Sequence, residues 1–149
     1  MRLMLLLALF AGGLAHGPAA RAYCIHNDLA DRDIYVEQER LKSYLREGNE
    51  LKLALKPGQR HCCRNLDCNP GGRSESTVEL RVSVLGDPAY VCGPEKVQSI
   101  TVTGDGLVRV QRNPQKTQLS PYIVRVRSGQ KDLTGPRGVT CLETKGKTP

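Results

Sequence analysis

Six cysteines offer the most chemistry in this chain, and three of them, Cys62, Cys63 and Cys68, lie within seven positions. With the adjacent His61 they could supply four ligands to a zinc ion. Structural zinc sites, however, favour cysteine pairs separated by about two to four residues, because a turn must bring both sulfurs to one side. Adjacent residues of an extended chain point to opposite faces instead. The spacing therefore favours disulfides over a metal site.

An even number of cysteines in a small exported domain is typical of a disulfide framework. We predict that all six cysteines are paired, and that the chain holds no metal and no cofactor. These cysteines are Cys24, Cys62, Cys63, Cys68, Cys92 and Cys141. Because Cys62 and Cys63 point to opposite faces, one sulfur could cross the core while the other closes a short loop to Cys68. Which of the two pairs with Cys68 stays open at this point.

Arginines at the outward positions of the predicted strands form a second group of interest. They are Arg81, Arg109, Arg125 and Arg127. If their strands share one sheet, these side chains form a basic face that could bind acidic polysaccharide, phosphate-bearing lipid headgroups or nucleic acid through charge, with nucleic acid the least expected. The chain carries 22 Lys and Arg against 15 Asp and Glu. The alternative is a solvated face whose charges prevent edge-to-edge association.

Aromatic side chains are scarce, which limits recognition of sugars by stacking. The chain has no Trp, one Phe and five Tyr. Tyr44 and Tyr90 lie in or beside predicted loops, and we predict that they contribute to ligand binding. Tyr35 and Tyr122 fall inside strand patterns, so at least one of them is expected in the core.

No motif in the sequence carries a catalytic mechanism. His26 and His61 could act as bases, but neither a Gly-x-Ser-x-Gly elbow nor a His-Glu-x-x-His helix is present. Six paired cysteines would leave no thiol as a nucleophile. We therefore predict a protein without enzymatic activity. A small secreted hydrolase remains an alternative, because the spacing of paired carboxylates cannot be read from sequence.

The elements that must position these residues are strands, because apolar residues recur mostly with a period of two. Turn signals rich in Gly, Pro and Asp separate them. The alternating segments are Tyr23–His26, Ile34–Gln38, Leu51–Leu55, Val78–Val84, Ile100–Val102, Val108–Val110 and Tyr122–Val126. This pattern predicts an all-β fold, an antiparallel β-sandwich or small barrel stapled by disulfides.

The N-terminal segment has the layout of a signal peptide. Arg2 precedes an apolar run from Leu3 to Leu14, and Ala20-Arg21-Ala22 fits the small-x-small rule for cleavage. We predict a signal peptide at 1–22, a single β-sandwich-like domain at 23–142 and a disordered tail at 143–149. The protein is accordingly expected to be secreted and extracellular.

The order of the motifs around the cysteine cluster resembles small secreted cysteine-rich proteins of fungi. The matching parts are Pro57-Gly58, Cys62-Cys63, Cys68-Asn69-Pro70-Gly71-Gly72 and the alternating strand from Thr77 to Val84. The layout is also faintly similar to aegerolysins, the lipid-binding fungal sandwiches. The first resemblance implies an exported β-fold with a role at a host surface or cell wall, and no reaction.

Taken together, these features predict a secreted non-enzymatic binding protein, of the kind that acts as an effector or as a binder of a wall or host surface. Its expected partner is an acidic polysaccharide, a glycan or a host surface component. The alternative to a polyanion or glycan binder is a membrane-lipid-binding or membrane-active toxin, whose partner would be membrane headgroups.

Overall fold

The computed structural model describes residues 23–39, 51–63, 68–69, 73–115 and 120–144. In these ranges the chain forms eleven strands and no helix, so no described segment is a helix long and apolar enough to cross a membrane. The strands are β1 (Cys24–Asn27), β2 (Ile34–Gln38), β3 (Lys52–Leu55), β4 (Arg60–Cys62), β5 (Thr77–Val84), β6 (Tyr90–Cys92), β7 (Ile100–Thr103), β8 (Gly106–Arg112), β9 (Tyr122–Ser128), β10 (Lys131–Asp132) and β11 (Val139–Glu143).

These strands form one nearly closed, barrel-like sheet with the order β3-β2-β5-β6-β11-β9-β8-β1-β4. Strand β7 is added beside β5, and β10 is added beside β9. Strand β11 joins the two halves of the sheet, because it pairs with β6 at one end and with β9 at the other. We call β1, β4, β8, β9 and β10 the β9 half, and β2, β3, β5, β6 and β7 the β5 half. The predicted all-β fold is confirmed.

One strand pair departs from an antiparallel arrangement. Strand β1 runs parallel to β8, with Ile25 opposite Val108, while its other neighbour β4 is antiparallel. The first strand of the described chain is thus inserted between two strands that come much later in the sequence. This insertion decides which side chains share the outer face of the β9 half.

The core is built from the alternate residues that the strand pattern marks as apolar. In β5, Val78, Leu80, Val82 and Val84 are completely buried, and the residues between them face outward. Each buried side chain of this size contributes about 1.5–3 kcal/mol through the hydrophobic effect. Because a strand alternates its side chains between two faces, the same pattern that fills the core also sets the outer face.

The two ends of the sheet are held together at Asn27, which is fully buried. Its side-chain amide donates to the carbonyl oxygens of Arg32 and Leu55 at 2.8 and 2.9 Å. Its backbone carbonyl accepts from the N–H of Gly58, which lies in the turn between β3 and β4. Strands β3 and β4 are the two ends of the sheet order, so Asn27 ties together the place where the barrel nearly closes.

All six cysteines form disulfides, as the sequence predicted, and the pairs are Cys24–Cys62, Cys63–Cys68 and Cys92–Cys141. The first and third join residues that are direct partners in neighbouring antiparallel strands, with Cα atoms 4.0 and 3.8 Å apart. Neither sulfur of the neighbouring cysteines crosses the core. The half-exposed Cys62 reaches the adjacent strand, and the buried Cys63 closes a short loop. Three disulfides are consistent with an extracellular protein.

The boundaries of the domain differ slightly from the expected ones. Strand β11 continues through Glu143, and Thr144 donates both its N–H and its hydroxyl to the carbonyl of Ala89. The folded chain therefore extends past residue 142, to at least residue 144. The predicted signal peptide at 1–22, the binding residue Tyr44 and the rest of the predicted tail lie outside the described residues.

Candidate anion-binding site

A row of four basic side chains crosses the outer face of the β9 half. Arg60 of β4 is opposite His26 of β1, His26 is opposite Arg109 of β8, and Arg109 is opposite Arg125 of β9. Residues that are partners in neighbouring strands project from the same face of a sheet. With strands about 4.8 Å apart, the row is about 14 Å long. We call these four residues the basic row.

A fifth basic side chain stands beside one end of the basic row. Arg127 lies two residues after Arg125 on β9 and is therefore on the same face. These two arginines and Arg109 line a shallow depression of about 320 Å³, and two glutamines and one carboxylate complete its wall. The lining residues are Arg109, Gln111, Arg125, Arg127, Gln130 and Asp132.

Arg125 is the best anchored of these guanidinium groups. Its Nη2 donates to the carbonyl of Pro136 at 2.7 Å, and the residue is half-buried. Its Nε is buried and has no acceptor among the described residues. A buried donor without a partner costs about 1–3 kcal/mol. The side chain is thus held in place by Pro136, and its buried N–H has no acceptor among the described residues.

Two carboxylates partly offset the positive charge of this face. Asp28 accepts from Nε of Arg109 at 2.6 Å. Asp132 Oδ1 accepts from the backbone N–H and the hydroxyl of Thr134 at 2.9 and 3.0 Å. The bond from the Thr134 backbone lowers the pKa of Asp132 most, with help from the nearby charge of Arg125. Asp132 is therefore a charged acceptor at the edge of a positively charged depression.

Arg60 of the basic row and Arg127 beside it are exposed. Within the described part of the chain, neither makes an ion pair or a side-chain hydrogen bond. Charged side chains that are exposed and unpaired can reorient toward an incoming anion without breaking a contact.

The structure brings together three of the four arginines that the sequence singled out, and it separates the fourth. Arg109, Arg125 and Arg127 lie around one depression. Arg81 lies on β5, in the other half of the sheet, and is paired with Glu39 at 3.0 Å. Its strand is separated from β9 by β6 and β11, so Arg81 does not extend the basic face.

Of the two tyrosines predicted to bind a ligand, Tyr44 lies outside the described residues and Tyr90 is in the core. Tyr90 is 8% exposed, and its ring packs edge-on against the ring of Tyr122 with centroids 5.0 Å apart. Burial, the largest cause, raises the pKa of the Tyr90 hydroxyl. Because the side chain is buried, the ring has no free face for a sugar; Tyr90 is the first residue of β6 and points inward. Among the described tyrosines, Tyr35 is the one that is half-exposed on an outer face.

Sequence reasoning missed Arg60 and His26 as members of the site. Strand β4 has three residues and no apolar alternation, and nothing local indicates that β1 pairs in parallel with β8. The disulfide Cys24–Cys62 carried the missing signal, because it makes β1 and β4 neighbours and sets His26 opposite Arg60 two residues away. The sequence does not choose that pairing among the many that six cysteines allow.

Among the described residues there is no group of three or more His, Cys, Asp or Glu side chains that could hold a metal ion. The face offers guanidinium, imidazole, amide and carboxylate groups for binding.

When the chain is compared with protein-family models, with curated proteins and with solved structures, none of the three comparisons finds a match.

Proposed function

We propose that this protein is secreted and binds an acidic polysaccharide or another anionic glycan, without catalysing a reaction. The observation that carries the proposal is the basic row with Arg127 beside it, on one outer face of the β9 half. A row about 14 Å long suits a ligand with several negative charges in line better than it suits a single small anion.

The chemistry of the row favours binding. Arginine keeps its charge at any pH at which a protein is folded, and its five N–H donors form a planar fork. This fork matches the two oxygens of a carboxylate or the oxygens of a related oxyanion. Because arginine does not exchange protons in this range, it holds an anion and does not act as an acid or base.

The two halves of the sheet treat charge differently, which argues against a face that is basic only to stay soluble. On the β5 half, Glu37 stands between its register partners Lys52 and Arg81, so the row alternates in sign. On the β9 half, the register partners within the basic row include no acid, and Asp132 is opposite Arg127 beside the row. Mixed charges are enough for solubility, whereas adjacent like charges cost stability unless an anion lies between them.

Titration with polyanions tests the proposal. The probes are heparin and polygalacturonate, with neutral dextran as the uncharged control, and isothermal titration calorimetry at 50, 150 and 500 mM NaCl is the measurement. We expect the folded protein to bind one or both anionic probes, with an affinity that falls as salt rises because the contacts are charged. It should not bind dextran. Dextran binding of equal strength, or no binding to either polyanion, would overturn the proposal.

A matched pair of variants separates the row from the overall charge. Arg60→Gln with Arg127→Gln removes two exposed charges of the face that have no partner among the described residues. Arg81→Gln with Lys96→Gln removes the same charge elsewhere on the surface. At up to about 1 kcal/mol for each exposed contact, the first pair should weaken binding by up to about thirtyfold. An equal effect of the second pair would mean that net charge alone causes binding.

Secretion is tested separately. The three disulfides support an oxidising compartment for folding. We expect the protein exported by a eukaryotic host to begin at Tyr23, as determined by N-terminal sequencing, and its intact mass to be unchanged by a thiol-alkylating reagent. Retention of residues 1–22 or a reactive thiol would contradict this part of the proposal.

A further inference from the structure

We propose that the depression lined by Arg109, Arg125, Arg127, Gln111, Gln130 and Asp132 is a subsite for one acidic sugar residue, with hydroxyl groups beside its carboxylate or sulfate. This inference rests on the proposed function, and it names the class of polyanion that the face selects. It separates acidic polysaccharides from polymers of bare phosphate.

The centre of the depression is suited to an acid group. Arg109 and Arg125 are direct cross-strand partners, so their guanidinium groups arise from positions about 5 Å apart. Arg109 is held by Asp28 and Arg125 by the carbonyl of Pro136, which limits how far each can move. An oxyanion between these two side chains would accept hydrogen bonds from the guanidinium N–H groups that Asp28 and Pro136 leave unused.

The wall of the depression is suited to hydroxyl groups. Gln111 and Gln130 contribute side-chain amides, and neither makes a side-chain hydrogen bond within the described residues. An amide can both donate to and accept from a hydroxyl. A bare anion has only acceptors and would use half of this capacity.

Asp132 gives the strongest argument for hydroxyl groups. Its carboxylate repels an anion, yet its pKa is lowered by the backbone N–H of Thr134, so that it stays charged. Oδ1 accepts both bonds from Thr134, and the carboxylate is part of the lining of the depression. A carboxylate oxygen can only accept hydrogen bonds. Its presence beside three arginines fits a ligand that carries O–H donors next to its acid group.

Size and lining favour a sugar over a nucleotide or a bilayer. A volume of about 320 Å³ is at the lower end of the range for small-molecule sites, about 300–1,000 Å³, which suits one sugar residue of a polymer. The six lining side chains include no aromatic ring on which a base could stack and no apolar side chain to enter a membrane. His26 and Arg60 continue the row and would meet the next acidic residue of the chain.

Two probes of similar charge test this subsite: an oligogalacturonate of six residues and a linear inorganic polyphosphate of six phosphates, titrated at 150 mM NaCl. The neutral variant Gln111→Ala with Gln130→Ala leaves every charge in place. We expect it to bind the oligogalacturonate about tenfold more weakly and the polyphosphate within twofold of the wild type. Gln115→Ala, in an exposed turn outside the depression, is the matched control and should change neither affinity.

A second variant gives effects of opposite sign. Asp132→Asn keeps an oxygen for Thr134 but removes the negative charge, so polyphosphate should bind more tightly, by about threefold, while oligogalacturonate should bind no better or more weakly. Equal tightening for both probes, or an equal loss for both in the glutamine variant, would overturn the subsite while the basic row still stands. Loss of all polyanion binding in the wild type would instead overturn the proposed function. Thermal unfolding of each variant confirms that it is folded.

Discussion

Replacing each disulfide in turn by two alanines should destabilise the protein by amounts that follow the length of the loop it closes. The three loops are consecutive and do not overlap: Cys24–Cys62 spans 38 residues, Cys63–Cys68 spans 5 and Cys92–Cys141 spans 49. The loop-entropy relation gives about 4, 2 and 4 kcal/mol respectively at 25 °C. Because no loop lies inside another, the three losses should add.

Burial then separates the two long loops. Cys92 and Cys141 are fully buried at the strand that joins the two halves, whereas Cys24 and Cys62 are half-exposed. Losing two buried sulfur atoms adds about 1–2 kcal/mol of packing energy. The expected order of destabilisation is therefore Cys92–Cys141, then Cys24–Cys62, then Cys63–Cys68.

Urea unfolding followed by circular dichroism at pH 7 without reductant measures these differences. Small domains have a total stability of about 5–15 kcal/mol. Each variant that lacks one disulfide should therefore still fold, whereas the fully reduced protein should not. The reasoning is refuted if the variant of the short loop is as unstable as those of the long loops. It is also refuted if the fully reduced protein keeps its unfolding midpoint.

Three further perturbations have definite expected outcomes. Asn27→Ala should lower the free energy of unfolding in urea by about 2–4 kcal/mol, because it leaves two carbonyls at the closure of the barrel without donors. An unchanged unfolding midpoint would mean that Asn27 does not hold the ends of the sheet together. Burial raises the pKa of the Tyr23 hydroxyl from 10.0, so the folded state keeps this proton where the unfolded chain loses it. The free energy of unfolding should therefore have its full value below pH 10 and fall above it by about 1.4 kcal/mol per pH unit. Tyr23→Phe should reduce this slope, and an unchanged slope would mean that another group causes it. Gly86→Ala should lower the melting temperature, since Gly86 has φ +129° and a Cβ there would meet the Arg32 guanidinium; a variant as stable as the wild type would show that Arg32 moves freely.

The sequence predicted best the long strands, in which every second side chain is buried. In β5 the alternation Val78, Leu80, Val82, Val84 is complete, and β8 and β9 follow the same rule. The sequence does not predict β4, β6, β10 or β11. The first three have two or three residues, too few to contain a period, and in β11 the one buried residue is Cys141, so no apolar alternation marks the strand. Their pairing is decided by neighbours that are distant in sequence.

The alternation within each strand also predicts that the arginines point outward, but it does not predict which arginines lie next to one another. Arg109, Arg125 and Arg127 lie on strands joined as neighbours, so their prediction as one face holds for these three. Arg81 obeys the same alternation, yet it lies on the other half of the sheet. The sequence predicts Tyr90 in or beside a loop, but its ring packs against Tyr122 in the core.

The sequence by itself determined the local properties of this protein: the alternation of each long strand, the oxidised state expected of six cysteines, and the faces on which charges must lie. These follow from the pleat, in which a side chain's direction depends only on its position in its own strand. The tertiary structure alone decided the order of the strands. By inserting β1 between β4 and β8, antiparallel to the first and parallel to the second, it placed His26 and Arg60 in line with Arg109 and Arg125. No local pattern specifies such a pairing, because its energy comes from burying both strands at once against the rest of the barrel.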